Sequence, residues 1–246
     1  MKYWLIGGLW RPRFLSSLQA SMKTLSSQHE TRVLVVETGA AEGLWRGPGV
    51  VLRERRRGVV PFLQTALNHV REHAQPDDWV VRVDADDFYG PRYLEGVESV
   101  RLRGGEGTGI PSVYLRTEDN QLYFCQSKRS FRGACGGTLA ARVGSLVDFR
   151  DSGNAWGEDS LWVEDMLAAG RRMLPRDSRD YAFTRHDEGE HTYPLLGHEI
   201  PHCWNCDAYL LGGFTESKVG KLFEPTGLPI PPDIARMGAA AARAFC

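Results

Sequence analysis

The sequence predicts an α/β fold: a Rossmann-like, mostly parallel central sheet flanked by helices, with a small antiparallel hairpin region. Three observations predict it. Up to Leu102, short apolar runs alternate with stretches whose apolar positions recur every third or fourth residue, the order strand, helix, strand. Two of the runs, Arg32–Val36 (RVLVV) and Trp79–Val83 (WVVRV), are almost wholly apolar, as buried strands of a parallel sheet are. After Leu102 the character changes. Ser112–Arg116 and Leu122–Gln126 flank the turn-forming Glu118-Asp119-Asn120 and read as a hairpin.

The elements follow in order. Lys2–Ile6 is the first strand, and Gly7-Gly8 allows a tight exit from it. Pro12 opens the first helix, where its missing N–H costs nothing, and Leu15, Leu18, Met22 and Leu25 form one face. Arg32–Val36 is the second strand, stopped by Glu37-Thr38-Gly39, and Val50–Leu52 the third. Pro61–His73 is a helix with Phe62, Leu63, Ala66, Leu67 and Val70 as its apolar stripe. Trp79–Val83 is the fourth strand, and Pro91–Leu102 a helix that turns Tyr93, Leu94, Val97 and Val100 inward. Asp159–Ala169 is a later helix. Leu222–Pro232 is Pro-rich and irregular, and Gly238–Phe245 a short Ala-rich helix. With no internal repeat or low-complexity linker, residues 1–212 read as one domain and 213–246 as a C-terminal extension.

Composition limits what the chain can do. Its 246 residues are 42% hydrophobic and 25% charged, ordinary for a folded domain with a sizeable core. A net charge of -1 provides no global field for nucleic acid or membrane, so any such attraction is local. Among the basic residues 25 are Arg and 5 Lys. Arginine suits bidentate phosphate and carboxylate contacts, and a GC-rich genome produces the same bias. No apolar run approaches the length of about 20 residues that a membrane helix needs. MKYWLIGGLW, broken by Arg11-Pro12-Arg13, reads as a strand and not as a signal peptide. Five scattered cysteines point away from a disulfide framework and toward a cytoplasmic protein.

The chemistry concentrates at Asp84-Ala85-Asp86-Asp87, directly after the fourth strand. In open parallel sheets, ligands bind beyond the carboxyl ends of the strands. Alternation sends Asp84 and Asp86 to the same side, where they repel unless a proton or a cation offsets them. A hard divalent ion with oxygen ligands, Mg2+ or Mn2+, is the natural partner, and such ions also bind substrate phosphates. A solvated strand-to-loop turn is the structural alternative.

VVRVDADDFYGPRYLE resembles the DxD segment of GT-A glycosyltransferases of the family 2 type, and other segments agree in order. Ile6–Leu15 (IGGLWRPRFL) is similar to that family's first strand and loop. Val35-Val36-Glu37-Thr38-Gly39 falls where the family has a strand ending in Asp-Asp-Gly-Ser. Gly58 through Asn68 is similar to its run from a Gly to an Ala-x-Asn helix. Gly157-Glu158-Asp159-Ser160, closed by Gly170, resembles its late Glu-Asp motif. Arg185-His186 with His191 resembles its C-terminal Arg-x-His segment, at looser spacing. The likeness spans residues 2–195. Glu37 stands in place of the usual Asp, Gly7-Gly8 replaces the usual Pro-Thr, and no Gln-x-x-Arg-Trp motif of the processive synthases is present.

The resemblance implies inverting transfer of a sugar from a nucleotide-diphosphate sugar, a UDP-sugar first among them, to an acceptor hydroxyl. Asp86 becomes the expected metal ligand, and Asp84 the contact to ribose or metal-bound water. Asp87 is an orienting residue or a helix cap. Asp159 is the expected base that takes the acceptor proton, and Glu158 contacts acceptor hydroxyls. His186, or else His191, supplies a third ligand to Mn2+ or Mg2+. Gly8, Trp10, Arg11, Glu37, Ala85, Gly136 and Gly137 line the donor. Lys128, Arg129 and Arg132 clamp a phosphate or a polyanionic acceptor, with Phe131 stacking a base if that acceptor is nucleic acid. Trp156 offers a flat surface to a sugar ring, and the 213–246 extension packs on or near the acceptor side. The acceptor, glycan or modified DNA base, is open. His202-Cys203-Trp204-Asn205-Cys206 lacks the further ligands of a zinc site, and Arg53–Arg57 reads as a solvated loop. A sugar nucleotidyltransferase is the main alternative. A nuclease and a binding module that keeps the fold without turnover rank below it.

Overall fold

A computed structural model describes residues 1–56, 58–127, 134–151, 157–185 and 206–221. The strands are β1 (Tyr3–Leu9), β2 (Thr31–Glu37), β3 (Val50–Arg53), β4 (Trp79–Val83), β5 (Phe88–Tyr89), β6 (Gly107–Gly109), β7 (Val113–Arg116), β8 (Gln121–Ser127), β9 (Ala140–Arg142), β10 (Met173–Pro175), β11 (Tyr181–Thr184) and β12 (Cys206–Gly213). The α-helices are α1 (Leu15–Ser26), α2 (Val59–His73), α3 (Tyr93–Leu102), α4 (Glu158–Ala168) and the short α5 (Glu216–Val219).

The main sheet has the order β10-β6-β9-β4-β1-β2-β3, and β9 alone runs against its neighbours. The chain steps outward from β1 to β3, then returns to place β4 on the other side of β1. That reversal opens a crevice at the carboxyl ends of β1 and β4. Strand alternation divides the core. Tyr3, Leu5, Leu9, Val81 and Val83 pack with α1, α3 and the inner face of the second sheet, while Trp4, Ile6, Leu34, Val36 and Val80 pack with α2 and α4. The expected mostly parallel sheet with helices on both faces is what forms.

The predicted hairpin is present as β7 and β8. It belongs to a second sheet, β12-β8-β7-β11-β5, which mixes antiparallel pairs with the parallel pair β7–β11. Arg185 follows β11 at once, buried, with its N–H donating to the Arg116 carbonyl.

Several boundaries depart from expectation, among them the first helix, which starts at Leu15 after a 3-10 turn at Pro12–Phe14. β1 runs on through Gly7-Gly8 to Leu9, because hydrogen bonding to β2 and β4 on its two sides outweighs glycine's weak strand preference. Helix α2 starts at Val59, which places Pro61 in the first turn, where no N–H is needed. Helix α3 starts at Tyr93 and not at Pro91. The expected helix from Asp159 begins one residue earlier, at Glu158. Leu222–Pro232 and Gly238–Phe245 lie outside the described residues. No helix among the described residues is long and apolar enough to cross a membrane.

Candidate active site

β4 delivers a buried arginine and an acidic turn to the crevice. Arg82 shares a face with Val80, toward α2 and α4, in a strand that is otherwise apolar. Its guanidinium grips Asp84 with two hydrogen bonds, Nε to Oδ1 at 2.8 Å and Nη2 to Oδ2 at 3.1 Å. Nη1 reaches Glu158 Oε1 across the crevice at 3.3 Å. Burial opposes the charge on Arg82, but Asp84 and Glu158 outweigh it and keep the guanidinium protonated. Sequence reasoning missed this residue. The available signal was a lone cation at an inward position, two residues ahead of an acid on the same face.

Asp159 stands in the first turn of α4, which opens on Gly157 in the left-handed region at φ 100°. Its Oδ1 accepts the Ser160 N–H at 2.7 Å. Burial, then the neighbouring Glu158 charge, pushes its carboxyl up to about 6, and Arg82 pulls the other way. Burial, then the charge of Asp84, pushes Asp86 up to about 7, opposed by Arg185 and Arg82.

Asp87 faces inward. Tyr181 donates to its Oδ2 at 2.6 Å and the Thr184 N–H to its Oδ1 at 2.9 Å, which fastens the acidic turn to β11. Of its two expected roles this is the orienting one, and Asp87 caps no helix. Burial, then Asp86 and Asp84, raises its own pKa well above the usual carboxylate range. Tyr89 completes the frame by accepting the Asp84 N–H and donating to the Gly137 carbonyl, both at 2.8 Å. Tyr89 and Tyr181 carried no sequence signal beyond that of core aromatics.

Gly136 and Gly137 press their backbone against these groups. A Cβ on Gly136 would sit 2.9 Å from Arg82 Nη1 and 3.2 Å from Asp159 Oδ2. One on Gly137 would sit 2.7 Å from Asp87 Oδ2 and 3.1 Å from Asp84 Oδ2. Arg82, Asp84, Asp87, Asp159 and the Gly-Gly corner therefore form one cluster. Because Asp87 is fixed by two hydrogen bonds, it cannot yield to a methyl group. Gly137→Ala is expected to destabilise the fold by about 1–3 kcal/mol, the usual cost of overpacking, read from the denaturant midpoint. An unchanged midpoint would show that the corner has room for a methyl group.

The other donor-side expectations are placed as follows. Ala85 is buried within the acidic turn. Trp10 is half-buried against Phe62, with ring centroids 6.0 Å apart. Arg11 is half-buried immediately before a 3-10 turn at Pro12–Phe14. Gly8 lies inside β1, where a Cβ would meet the Phe62 ring at 2.9 Å, and Gly7 does the same for Met22 at 2.6 Å. Both glycines serve close helix packing. Glu37 is 1% exposed and accepts the Gly43 and Trp45 N–H groups, each at 2.6 Å, so its carboxylate organises the loop after β2. His186, His191, Lys128, Arg129, Phe131, Arg132 and Trp156 lie outside the described residues.

Among the described residues no three His, Cys, Asp or Glu side chains gather closely enough to enclose a metal ion. The donors that are present fit a different arrangement. Asp84 and Asp86 offer hard oxygens at a buried turn where a cation would relieve the repulsion that raises Asp86. One or two carboxylates suffice for Mg2+ or Mn2+ when waters and substrate phosphates complete the shell.

No protein-family model matches the chain, and no curated protein matches it. Solved structures follow a similar chain path. Glucosyl-3-phosphoglycerate synthase from Mycobacterium tuberculosis, in complex with Mn2+, UDP and phosphoglyceric acid, is 14% identical, with 73% of this chain and 70% of that one covered at a TM-score of 0.48. The same enzyme with Mg2+ and UDP is 13% identical, covering 73% and 71% at 0.47. A protein taken to be a nucleotide-diphospho-sugar transferase, from Desulfovibrio desulfuricans G20, is 12% identical, covering 74% and 80% at 0.44. Superpositions this loose leave the reading of the site to its own side chains.

Proposed function

We propose that the chain is a metal-dependent GT-A glycosyltransferase of the family 2 type. It moves a sugar from a nucleotide-diphosphate sugar, UDP-linked in the simplest case, to an acceptor hydroxyl with inversion. The observation that carries this reading is the single cluster formed by Asp84, Asp87, Glu158 and Asp159 around Arg82 and the Gly136-Gly137 corner, with Asp86 close enough to feel the charges of Asp84 and Arg82. It supports a division of labour in which one pair of carboxylates faces a diphosphate and a separate one faces the acceptor.

In the proposed step the acceptor oxygen bonds to the anomeric carbon while the bond from that carbon to the diphosphate breaks. Asp159 takes the acceptor proton, and the nucleoside diphosphate leaves with the electron pair. Attack from the face opposite the leaving group inverts the carbon. General base catalysis of this kind contributes about 10²–10⁴-fold. Asp86, with Asp84 behind it, would hold Mn2+ or Mg2+, which when bound supplies charge neutralisation for the leaving diphosphate. Arg82 keeps Asp84 in place and its charge favours the ionised, proton-accepting form of Asp159. Glu158 stays on Arg82, near enough to Asp159 to raise its basicity. The third metal ligand from His186 or His191, the phosphate clamp from Lys128, Arg129 and Arg132, and a sugar platform from Trp156 remain part of the proposal.

The nucleotidyltransferase alternative needs a glycine-rich phosphate loop after β1. Gly7 and Gly8 are spent on packing against Met22 and Phe62, which weighs against it.

The testing experiment is a thermal-shift panel of nucleotide-diphosphate sugars with and without Mn2+. At least one donor is expected to raise the melting temperature only when the ion is present. Asp86→Ala is expected to abolish that ion-dependent shift while the protein still melts cooperatively. A panel with no shift for any donor defeats the reading.

A further inference from the structure

A cavity of about 690 Å³ lies away from the acidic turn. It lies between helix α3 and the segment that joins β10 to β11, and its walls carry four arginines, Arg92, Arg103, Arg176 and Arg179. Three carboxylates share it. Two are answered at close range, Asp180 by Arg92 at 3.1 Å and Asp177 by Arg179 at 2.9 Å. The third, Glu95, has its charge felt by Arg179.

Arg103 and Arg176 are left. Arg103 is exposed and touches only carbonyls, with Nε on Ser99 O at 3.2 Å and Nη2 on Pro175 O at 3.4 Å. Arg176 is 8% exposed, its guanidinium lies 4.2 Å above the Tyr93 ring, and Nη2 donates to Thr138 O at 3.1 Å. Its Nε is buried with no hydrogen-bond partner. Neither arginine has a carboxylate within ion-pair distance among the described residues, and Arg176 feels a carboxylate, Asp177, only at longer range. A buried cation is costly unless an anion answers its charge. Arg103 and Arg176 both line this cavity, and guanidiniums suit the several oxygens of a phosphate group, as single-point cations would not.

We propose that this cavity is an anion site, separate from the acidic turn, for a small molecule that carries a phosphate group. Arg103 and Arg176 hold the phosphate, and the Arg92–Asp180 and Arg179–Asp177 pairs keep the rim in shape.

The test titrates inorganic phosphate and glycerol phosphate into the full chain by calorimetry, with a chelator present so that metal–phosphate chemistry at the acidic turn contributes nothing. Chloride balances ionic strength. Saturable binding is expected, with acetate weaker by about tenfold or more, because a carboxylate fills fewer of the donors. Arg103→Gln and Ser99→Glu, both at exposed positions, are each expected to weaken phosphate by about tenfold, through a lost donor and an added like charge. Absence of binding above the chloride control overturns the proposal, as does binding unchanged in both variants. Acetate binding as tightly as phosphate overturns the assignment of ligand.

Discussion

Asp159→Asn is expected to lower turnover by about 10²–10⁴-fold while leaving metal-dependent donor binding intact. The amide oxygen can still accept the Ser160 N–H that Asp159 Oδ1 accepts now, so the first turn of α4 keeps its shape. What the amide cannot do is take the acceptor's proton. The paired readout is kcat against the donor-induced thermal shift, and full activity in the variant would remove Asp159 from the mechanism. The wild-type pH profile offers a second check. With its carboxyl raised to about 6, Asp159 is ionised only above that value, so activity should climb through a limb near pH 6. The same shift acts on stability in the opposite sense. The folded value lies above the unfolded one of about 3.9, so this group favours the folded state fully below about pH 4. That contribution is lost as pH rises through about 6.

Arg82→Met should destabilise the protein by about 3–5 kcal/mol, since removing one partner strands buried charge on the others. Asp84 and Glu158 both use Arg82, and their side chains are 15% and 13% exposed. For a chain of this size that corresponds to a melting temperature lower by roughly 6–20 °C. A purely structural residue would stop there. Arg82 also holds the Asp159 carboxyl down, so its loss should move the acidic limb of the activity profile to higher pH. A limb that stays in place would separate Arg82 from the base and reduce it to a structural tie. A double-mutant cycle with Asp84→Asn measures how much of the stability effect belongs to the pair.

The first half of the fold was readable because its strands are long and apolar and its helices carry full stripes. β4 matches its expected limits, and β2 and β3 differ only at their ends. The short strands were not readable. β6 is Gly107-Thr108-Gly109, β9 is Ala140-Ala141-Arg142, and nothing in three such residues favours a strand. Their partners in the sheet make them strands. In the site, the acids were legible because carboxylates at a strand end demand an explanation. Arg82 hid among apolar neighbours, and Asp87 looked like one more acid until Tyr181 and Thr184 supplied its partners from the far end of the chain. That Glu37 accepts the Gly43 and Trp45 N–H groups depends on the path of a loop, which one residue type does not report.

The bonds that frame the site join distant parts of the chain. Tyr89 meets Gly137 across 48 residues, Arg82 meets Glu158 across 76, and Asp87 meets Thr184 across 97. Each such closure spends chain entropy before the contact returns anything. The local hairpins and helices can therefore form well ahead of the acidic turn's setting, and a nascent chain released before β11 would hold its acids unframed. In refolding, ligand-binding competence should lag behind the far-ultraviolet dichroism signal, which makes the site a timer for the last stage of assembly.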